Sequence, residues 1–189
     1  MKILLAILTF LAGICADAQI KVGAERYGEY LPLLEGKKVA LYTNHTGIAD
    51  GRHTLDVLLD KGVDVTKVFA PEHGFRGTAD AGEHVKSSTD AATGLPIVSL
   101  YGASTRPTPA MMEDVDVIVV DIQDVGLRFY TYYITMIDLM NAAIDHGKGV
   151  MILDRPNPNG MSVDGPVLDM KLRSGGGALP IPVLHGMTL

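Results

Sequence analysis

Short runs of β-branched and other apolar residues alternate with segments of helical spacing along most of the chain. The apolar runs predict five strands, at residues 38–43, 63–69, 95–100, 115–120 and 149–153. The run at 115–120 is almost entirely β-branched apart from Asp116, which is typical of a central strand buried on both faces. This alternation indicates an α/β domain with an open, mostly parallel sheet flanked by helices.

The segments between the strands carry helix signals of unequal strength. They are the leucines at 55, 58 and 59, a short helix begun by Thr108 as N-cap and Pro109 at the first position, and the clear pattern over residues 131–146. Gly147 is a suitable C-cap for the last of these. Residues 77–94 lack periodicity and are interpreted as one long loop, which in a compact domain is often functional.

The first 18 residues have the pattern of a secretory signal peptide. Lys2 precedes an apolar run from Ile3 to Gly13, and Ala16-Asp17-Ala18 is a small-x-small cleavage site. The one cysteine, Cys15, lies inside this segment, so the mature chain would have no disulfide or cysteine nucleophile. We expect a secreted or periplasmic protein with no membrane attachment beyond the signal peptide.

The rest of the chain divides into two parts that differ in their content of turn-forming residues. Residues 19–156 are expected to form a Rossmann-like catalytic domain. Residues 157–189 are turn-rich and are expected to lead toward a C-terminal domain that is missing from this chain. The formal charge of −6 and the absence of a basic cluster exclude nucleic acid as an expected partner. Neither a G-x-G-x-x-G fingerprint nor a Walker loop is present, so we expect no cofactor.

Polar residues follow the carboxyl end of every predicted strand. They are Asn44, then Glu72 and His73, then Tyr101, then Asp121, Gln123 and Asp124, and finally Asp154 and Arg155. Because a parallel sheet gathers these ends along one edge, where ligand crevices form, the pattern predicts a site there.

Glu72 is the best candidate for acid–base chemistry. It lies on a loop constrained by Pro71 and Gly74 and flanked by phenylalanines, surroundings that suit a carboxylic acid to donate a proton near neutrality. Asp121 and Asp124 are candidates for a second carboxylate, and two carboxylates at a crevice fit glycoside hydrolysis.

A metal site is the competing interpretation. Histidines 45, 73, 84 and 185, together with Asp121 or Asp124, have the chemistry to bind a divalent ion. However, no H-x-H or H-E-x-x-H spacing occurs, and adjacent residues such as Glu72 and His73 rarely point at one ion. We therefore expect no metal. A serine nucleophile lacks its G-x-S-x-G elbow.

Several long motifs resemble those of the NamZ-like exo-β-N-acetylmuramidases, a family long catalogued as a domain of unknown function. The resemblance covers roughly residues 35–189, and its motifs begin at 43 (TNHTG), 70 (APEHGFRG), 80 (DAGE), 99 (SLYG), 121 (DIQDVGLRFYTY) and 153 (LDRPNP).

The resemblance implies a glycosidase that removes N-acetylmuramic acid from the non-reducing ends of peptidoglycan fragments, in a cleft between a Rossmann-like domain and a C-terminal domain. It implies that Glu72 is the general acid. The second carboxylate is our own inference, for which Asp121, Asp124 and the later Asp164 and Asp169 compete. The expected saccharide-binding residues are Asn44, His73, Arg76, Tyr101, Gln123, Arg128 and Tyr130.

The lactyl carboxylate of the sugar needs a cationic or N–H partner, for which Arg76, Arg128 and Arg155 are candidates. Two other functions stay open: a muropeptide-binding module without catalysis, and a metal-dependent hydrolase.

Overall fold

The computed structural model describes residues 20–75, 87–102 and 105–189. The strands of this part are β1 (Lys38–Thr43), β2 (Ile48–Ala49), β3 (Arg52–His53), β4 (Asp64–Ala70), β5 (Ser88–Thr89), β6 (Pro96–Ser99), β7 (Val117–Asp121) and β8 (Gly149–Ile152). The helices are α1 (Tyr27–Leu34), α2 (Thr54–Asp60), α3 (Pro109–Met112) and α4 (Tyr132–Asp145), with 3-10 turns at Gly23–Glu25 and Met170–Leu172. The predicted signal peptide lies outside the described residues.

Six strands form one sheet in the order β5-β6-β4-β1-β7-β8. Every neighbouring pair is parallel except β5 with β6, which is antiparallel. β2 and β3 form a separate antiparallel hairpin. The chain builds outward from β1 in one direction through β4 and β6, then returns to the other side of β1 for β7 and β8. The predicted open, mostly parallel sheet is confirmed, and its topological switch point lies between β1 and β7.

The sheet is buried on both faces because successive side chains of a strand point to opposite sides. In β1, Val39 and Leu41 join one apolar cluster with residues of α1 and α2, whereas Ala40 and Tyr42 join another with residues of α3 and α4. Two helical layers therefore enclose the sheet, which is why the central strands read as continuous apolar runs.

The predicted strands agree with the structure to within two residues at each end, and α4 differs from the prediction by one residue at each end. The long-loop interpretation of 77–94 is wrong at Ser88–Thr89, which pair with β6, while residues 77–86 lie outside the described part. A two-residue edge strand is too short to produce a pattern.

Helix α1 was not expected, because the sequence around it is polar and Pro32 lies inside it. Packing holds it in place. Tyr30 and Leu34 are buried in the core, and the Tyr30 hydroxyl donates to the Ala24 carbonyl at 3.0 Å. Tertiary contact outweighs local propensity here.

Residues 157–189 are turn-rich, as predicted, and they pack back against the loop that follows β7. Arg128 N donates to Val183 O and His185 N to Gly126 O, each at 2.9 Å. Several apolar side chains of this segment face solvent, among them Met161, Val163 and Leu172. None of the helices in the described part combines the length and the apolar character needed to cross a bilayer.

Gly47 lies where the loop after β1 meets the end of β7. A Cβ atom placed there would stand 2.1 Å from Thr43 Oγ1 and 3.2 Å from the Asp121 carbonyl oxygen. Thr43 Oγ1 already donates to that carbonyl at 2.7 Å. Any side chain at 47 would therefore displace the bond that joins β1 to β7 at the switch point.

We predict that Gly47→Ala lowers the free energy of unfolding by about 1–3 kcal/mol, the usual effect of overpacking a buried site. The matched control is Gly28→Ala in α1, where an added Cβ meets nothing within 4 Å. The control should be as stable as the original chain or slightly more so, because alanine favours the helix. Urea denaturation measures both, and equal midpoints for Gly47→Ala and the original chain would contradict the packing argument.

Candidate active site

The strand-end residues gather along the carboxyl edge of the sheet, as predicted. Glu72 belongs to a sharp turn after β4, in which Gly74 N donates to Pro71 O at 3.0 Å. His73 and Gly74 have consecutive φ values of 67° and 73°. A positive φ is unfavourable for a histidine, so the surrounding structure holds this turn in a strained conformation that is common at functional sites.

Glu72 lines a cleft of about 450 Å³ between the loops that follow β4 and β6 and the first turn of α4. Its other walls include Tyr101, Thr105, Thr131, Tyr132, Thr135 and Gly175. The volume is in the range of small-molecule sites. Polar groups from three different elements thus converge on one carboxylic acid.

The Tyr101 hydroxyl is a hydrogen-bond partner of Glu72 in this cleft. That bond is the main reason why the pKa of Tyr101 lies above its ordinary value, with burial and the Glu72 charge adding to it. Tyr101 therefore stays protonated and acts as a donor to the Glu72 carboxyl group. It restricts the directions in which Glu72 can point.

Asn44 lies fully buried at the end of β1, beneath the cleft. Its Oδ1 accepts from the Thr46 amide at 2.9 Å and from Thr46 Oγ1 at 2.6 Å. Its buried Nδ2 has no hydrogen-bond partner of good geometry among the described residues. The nearby polar group is the Tyr132 hydroxyl, and the Asn44 amide is close enough to lower the pKa of that phenol.

Tyr132 connects Asn44 with Glu72 and Tyr130. Burial raises the pKa of Tyr132 most, and the Glu72 charge raises it further, while the Asn44 and Tyr130 side chains lower it in part. The rings of Tyr130 and Tyr132 meet edge to face, with centroids 4.9 Å apart. Burial likewise raises the pKa of Tyr130 to about 12.

Asp121 is fully buried at the end of β7, where it forms an ion pair with Arg155. Arg155 Nε donates to Oδ1 at 2.7 Å and a terminal nitrogen donates to Oδ2 at 3.0 Å. Oδ2 also accepts from Thr54 Oγ1, and Arg155 donates to the Ile48 carbonyl at 2.8 Å. The predicted catalytic role of Asp121 stays a prediction, but its contacts are those of a group that joins β7 to α2 and to the loop after β8.

Gln123 and Arg128 make their described contacts with the backbone of neighbouring loops. Gln123 Nε2 donates to the carbonyls of Asp124 at 2.6 Å and Pro156 at 2.9 Å. The Arg128 guanidinium donates to the carbonyls of Pro166 and Ile181, each at 2.7 Å. Neither is among the residues that line the Glu72 cleft.

Asp124 lines a second, mostly apolar cavity of about 250 Å³ together with His185. Its Oδ1 accepts from Gly126 N at 2.6 Å and lies 3.4 Å from His185 Nε2. Since His185 Nδ1 accepts from Met187 N at 3.3 Å, Nε2 is the nitrogen that carries hydrogen toward Asp124. Burial raises the pKa of Asp124, against the lowering effects of Gly126 N and His185.

Of the ten predicted site residues, Glu72 and Tyr101 line the cleft, and Asn44 and Tyr130 reach it through Tyr132. Arg76 lies outside the described residues. Tyr132 is the residue that sequence reasoning missed, although it belongs to the quoted motif and stands at the start of the best-predicted helix. A tyrosine at the first turn of that helix, two positions after Tyr130, was the available signal.

Within the described ranges, no group of three or more His, Cys, Asp or Glu side chains is arranged to hold a metal ion. Of the residues considered for a metal, Asp121 is paired with Arg155, Asp124 with His185, and His84 is outside the described part.

The fold and the site define an α/β domain that presents a carboxylic acid, hydrogen-bonded to the Tyr101 hydroxyl, in a cleft at the carboxyl edge of a parallel sheet. Residues 39–189 match the family described as exo-beta-N-acetylmuramidase NamZ, N-terminal, and the chain belongs to that family.

A similar curated protein is the peptidoglycan beta-N-acetylmuramidase NamZ of Bacillus subtilis (strain 168), which is 45% identical over 164 residues. These cover 85% of this chain and 40% of that protein. Two solved structures of DUF1343 family proteins from Bacteroides fragilis NCTC 9343 are also similar. They have TM-scores of 0.79 and 0.80 at 50% and 41% identity, and each match covers 89% of this chain. The matches cover 44% and 43% of those chains, so this chain spans about two fifths of its relatives' length.

We predict that Arg155→Met lowers the free energy of unfolding by about 3–5 kcal/mol, because it leaves the Asp121 carboxylate buried without its counter-ion. Arg52→Met is the matched control, since Arg52 pairs with Asp60 on the surface, where both side chains are more than half exposed. Thermal unfolding followed by circular dichroism should show a large fall in Tm for Arg155→Met and little change for the control. Similar melting temperatures for the two variants would contradict the assignment.

We predict that Asp124 makes folding less favourable as the pH rises. Because its pKa in the folded protein is raised from the ordinary 3.8, its stabilising effect is fully present below that value and is lost as the pH passes through the raised pKa. Relative to the original chain, Asp124→Asn should therefore gain stability between about pH 4 and pH 7.

The control for this experiment is Asp114→Asn. Its hydrogen bond from Lys67 is the main cause of a lowered pKa for Asp114, so the stabilisation is present above 3.8 and is lost as the pH falls through the lowered value. Asp114→Asn should lose stability relative to the original chain as the pH rises. Urea denaturation at four pH values measures both, and parallel trends would refute the assignment for Asp124.

Proposed function

We propose that this chain is the N-terminal part of a glycoside hydrolase that removes N-acetylmuramic acid from the non-reducing end of peptidoglycan fragments, with Glu72 as general acid. The observation that carries the proposal is the position of Glu72 in the cleft, oriented by a hydrogen bond with Tyr101. Family membership supports the reaction class, and the name of the Bacillus subtilis relative supports peptidoglycan as the polymer.

In this mechanism Glu72 transfers its proton to the glycosidic oxygen as the bond from that oxygen to C1 breaks. The bonding electrons leave with the oxygen, and positive charge develops on the sugar ring. Glu72 is then an anion, to which the Tyr101 hydroxyl donates. Water attacks C1 either directly or after a covalent intermediate, and a base takes its proton.

The second carboxylate is the less complete part of the proposal. Asp121 and Asp124 were the candidates, but Asp121 accepts hydrogen bonds from Arg155 and Thr54, and Asp124 lines the other cavity. For either residue to act on a sugar in the Glu72 cleft, its present contacts must first be exchanged. Arg128 and Arg155 would likewise have to release backbone carbonyls or Asp121 to reach the lactyl carboxylate.

A second candidate function is a muropeptide-binding module without turnover. It is favoured by one observation: Glu72 is the one acid among the described residues that line the cleft, whereas most glycosidases use two. Binding and turnover must therefore be measured separately.

We further propose that the protein acts outside the cytoplasm, as a secreted or periplasmic protein. The signal-like pattern of residues 1–18 supports this location, as does the extracytoplasmic position of peptidoglycan.

We predict that Glu72→Gln reduces turnover of a chromogenic β-N-acetylmuramide at least about 100-fold, because glutamine keeps the shape of the side chain but has no acidic proton to transfer. Circular dichroism should be unchanged. The matched control is Glu113→Gln, at an exposed glutamate that directly follows α3, and it should keep full activity.

Muropeptide binding is measured on the same proteins by NMR titration. Binding with turnover that depends on Glu72 but not on Glu113 supports the hydrolase. Equal turnover by Glu72→Gln would remove Glu72 from the mechanism. Binding without turnover by the original chain would favour the binding module.

A further inference from the structure

Tyr132 is the first residue of α4 and lines the same cleft as Glu72. Its position is well determined by its surroundings. The Tyr42 hydroxyl from β1 donates to the Tyr132 carbonyl at 3.2 Å, and the Tyr132 ring packs edge to face on Tyr130 at an interplanar angle of 85°. Only 9% of the residue is exposed. The phenol is therefore held rigidly in the wall of the cleft.

The surroundings of this hydroxyl also determine which way its proton points. Both acceptor sites of Asn44 Oδ1 are used by Thr46, so the buried Nδ2 has to face the other way, toward Tyr132. A phenol oxygen accepts hydrogen bonds and carries a single proton. A buried amide without a partner is unfavourable, which favours donation from Asn44 to the Tyr132 oxygen.

Tyr130 is the second neighbour, and its ring lies edge to face with that of Tyr132, with centroids 4.9 Å apart. The interaction between the two phenols raises the pKa of Tyr130 and lowers that of Tyr132, as expected when Tyr130 is the donor. With Asn44 and Tyr130 as donors to its oxygen, the Tyr132 hydroxyl can donate its own proton to a third group. The Glu72 carboxylate lines the same cleft, and its charge acts on Tyr132.

We propose that Tyr132 is a positioning residue for the reaction, and that its hydroxyl, oriented by Asn44 and Tyr130, donates toward Glu72. This inference rests on the function proposed above. Before proton transfer, the donor fixes the direction of the Glu72 carboxyl group. After the proton has passed to the glycosidic oxygen, the same donor faces a carboxylate and binds it more strongly. Tyr132 therefore stabilises the state in which the C1–O bond is broken.

Among the residues that the structure describes, Tyr101 from the loop after β6 and Tyr132 from α4 both act on Glu72. Loss of either hydroxyl should make the Glu72 carboxylate less favourable. A purely structural tyrosine would not have this effect, so the titration of Glu72 separates the two roles.

The test compares Tyr132→Phe with Tyr133→Phe in the 189-residue chain. Tyr133 is the next residue, but its hydroxyl accepts from Ala178 N at 3.0 Å in the second cavity, away from Glu72. We expect Tyr132→Phe to lower kcat about 10- to 100-fold with little change in KM, as for other losses of positioning. The alkaline limb of its pH–rate profile, where Glu72 loses the proton it must donate, should move to higher pH. Tyr133→Phe should leave that limb unchanged.

A measurement without turnover keeps this inference separate from the proposed function. Carboxyl-¹³C NMR follows the ionisation of Glu72, whose signal is identified by its loss in Glu72→Gln. We expect the titration midpoint to move to higher pH in Tyr132→Phe and to stay unchanged in Tyr133→Phe. If muramide turnover is absent but the midpoint moves, the proposed function fails while the contact between Tyr132 and Glu72 stands. An unchanged midpoint in folded Tyr132→Phe overturns the inference.

If Tyr132→Phe does not fold, the reciprocal experiment leaves Tyr132 in place. Because Glu72 also raises the pKa of Tyr101, the comparison is made in a Tyr101→Phe background. When Glu72→Gln is added there, the negative charge is gone, so Tyr132 should ionise at lower pH than in Tyr101→Phe alone. Ultraviolet difference titration of tyrosinate formation measures this. Identical tyrosine titration in the two proteins would equally overturn the inference.

Discussion

The carboxyl edge of this sheet depends on one buried ion pair, Asp121 with Arg155. Around it, Thr43 brings the end of β1, Thr54 the start of α2, and Ile48 the β2–β3 hairpin into a single network. A buried carboxylate is tolerated only when its charge is balanced and its oxygens are satisfied, and Arg155 with Thr54 meets both conditions. The loops that carry the polar motifs are therefore ordered by electrostatics as much as by packing.

This arrangement separates two kinds of polar residue that the sequence presents side by side. Asp121, Gln123 and Arg128 form their hydrogen bonds with neighbouring parts of the fold. Glu72, Tyr101 and Tyr132 instead face an open cleft. The first set keeps the edge rigid, and rigidity is what lets the second set hold a reacting group in a fixed direction. The strained turn at His73 depends on the same rigidity, because an unfavourable φ persists only where the surrounding structure is rigid.

The sheet was predictable because β-branched runs such as β7 have few alternatives to a buried strand, and parallel strands bring their ends together whatever the loops contain. The ion-pair and hydrogen-bond partners of the polar residues were not predictable. Nothing local to Asp121 indicates that Arg155, 34 residues later, neutralises it, nor that backbone carbonyls from the distant Pro166 and Ile181 bind Arg128. Helix α1 shows the same limit, since its buried Tyr30 and Leu34 become informative only once the core they enter is known.

The position of β1 has a consequence for the order of events during folding. β1 is the first strand of the part that the structure describes, yet it lies in the middle of the sheet, and its bond with β7 joins residues 78 positions apart. β1 can pair with β4 early, but its other edge stays open until β7 has been synthesised. Closing so large a loop is slow, and an open apolar strand edge is a place for wrong pairing. In a growing chain, the exposure time of β1 is thus set by the rate at which the following 78 residues emerge.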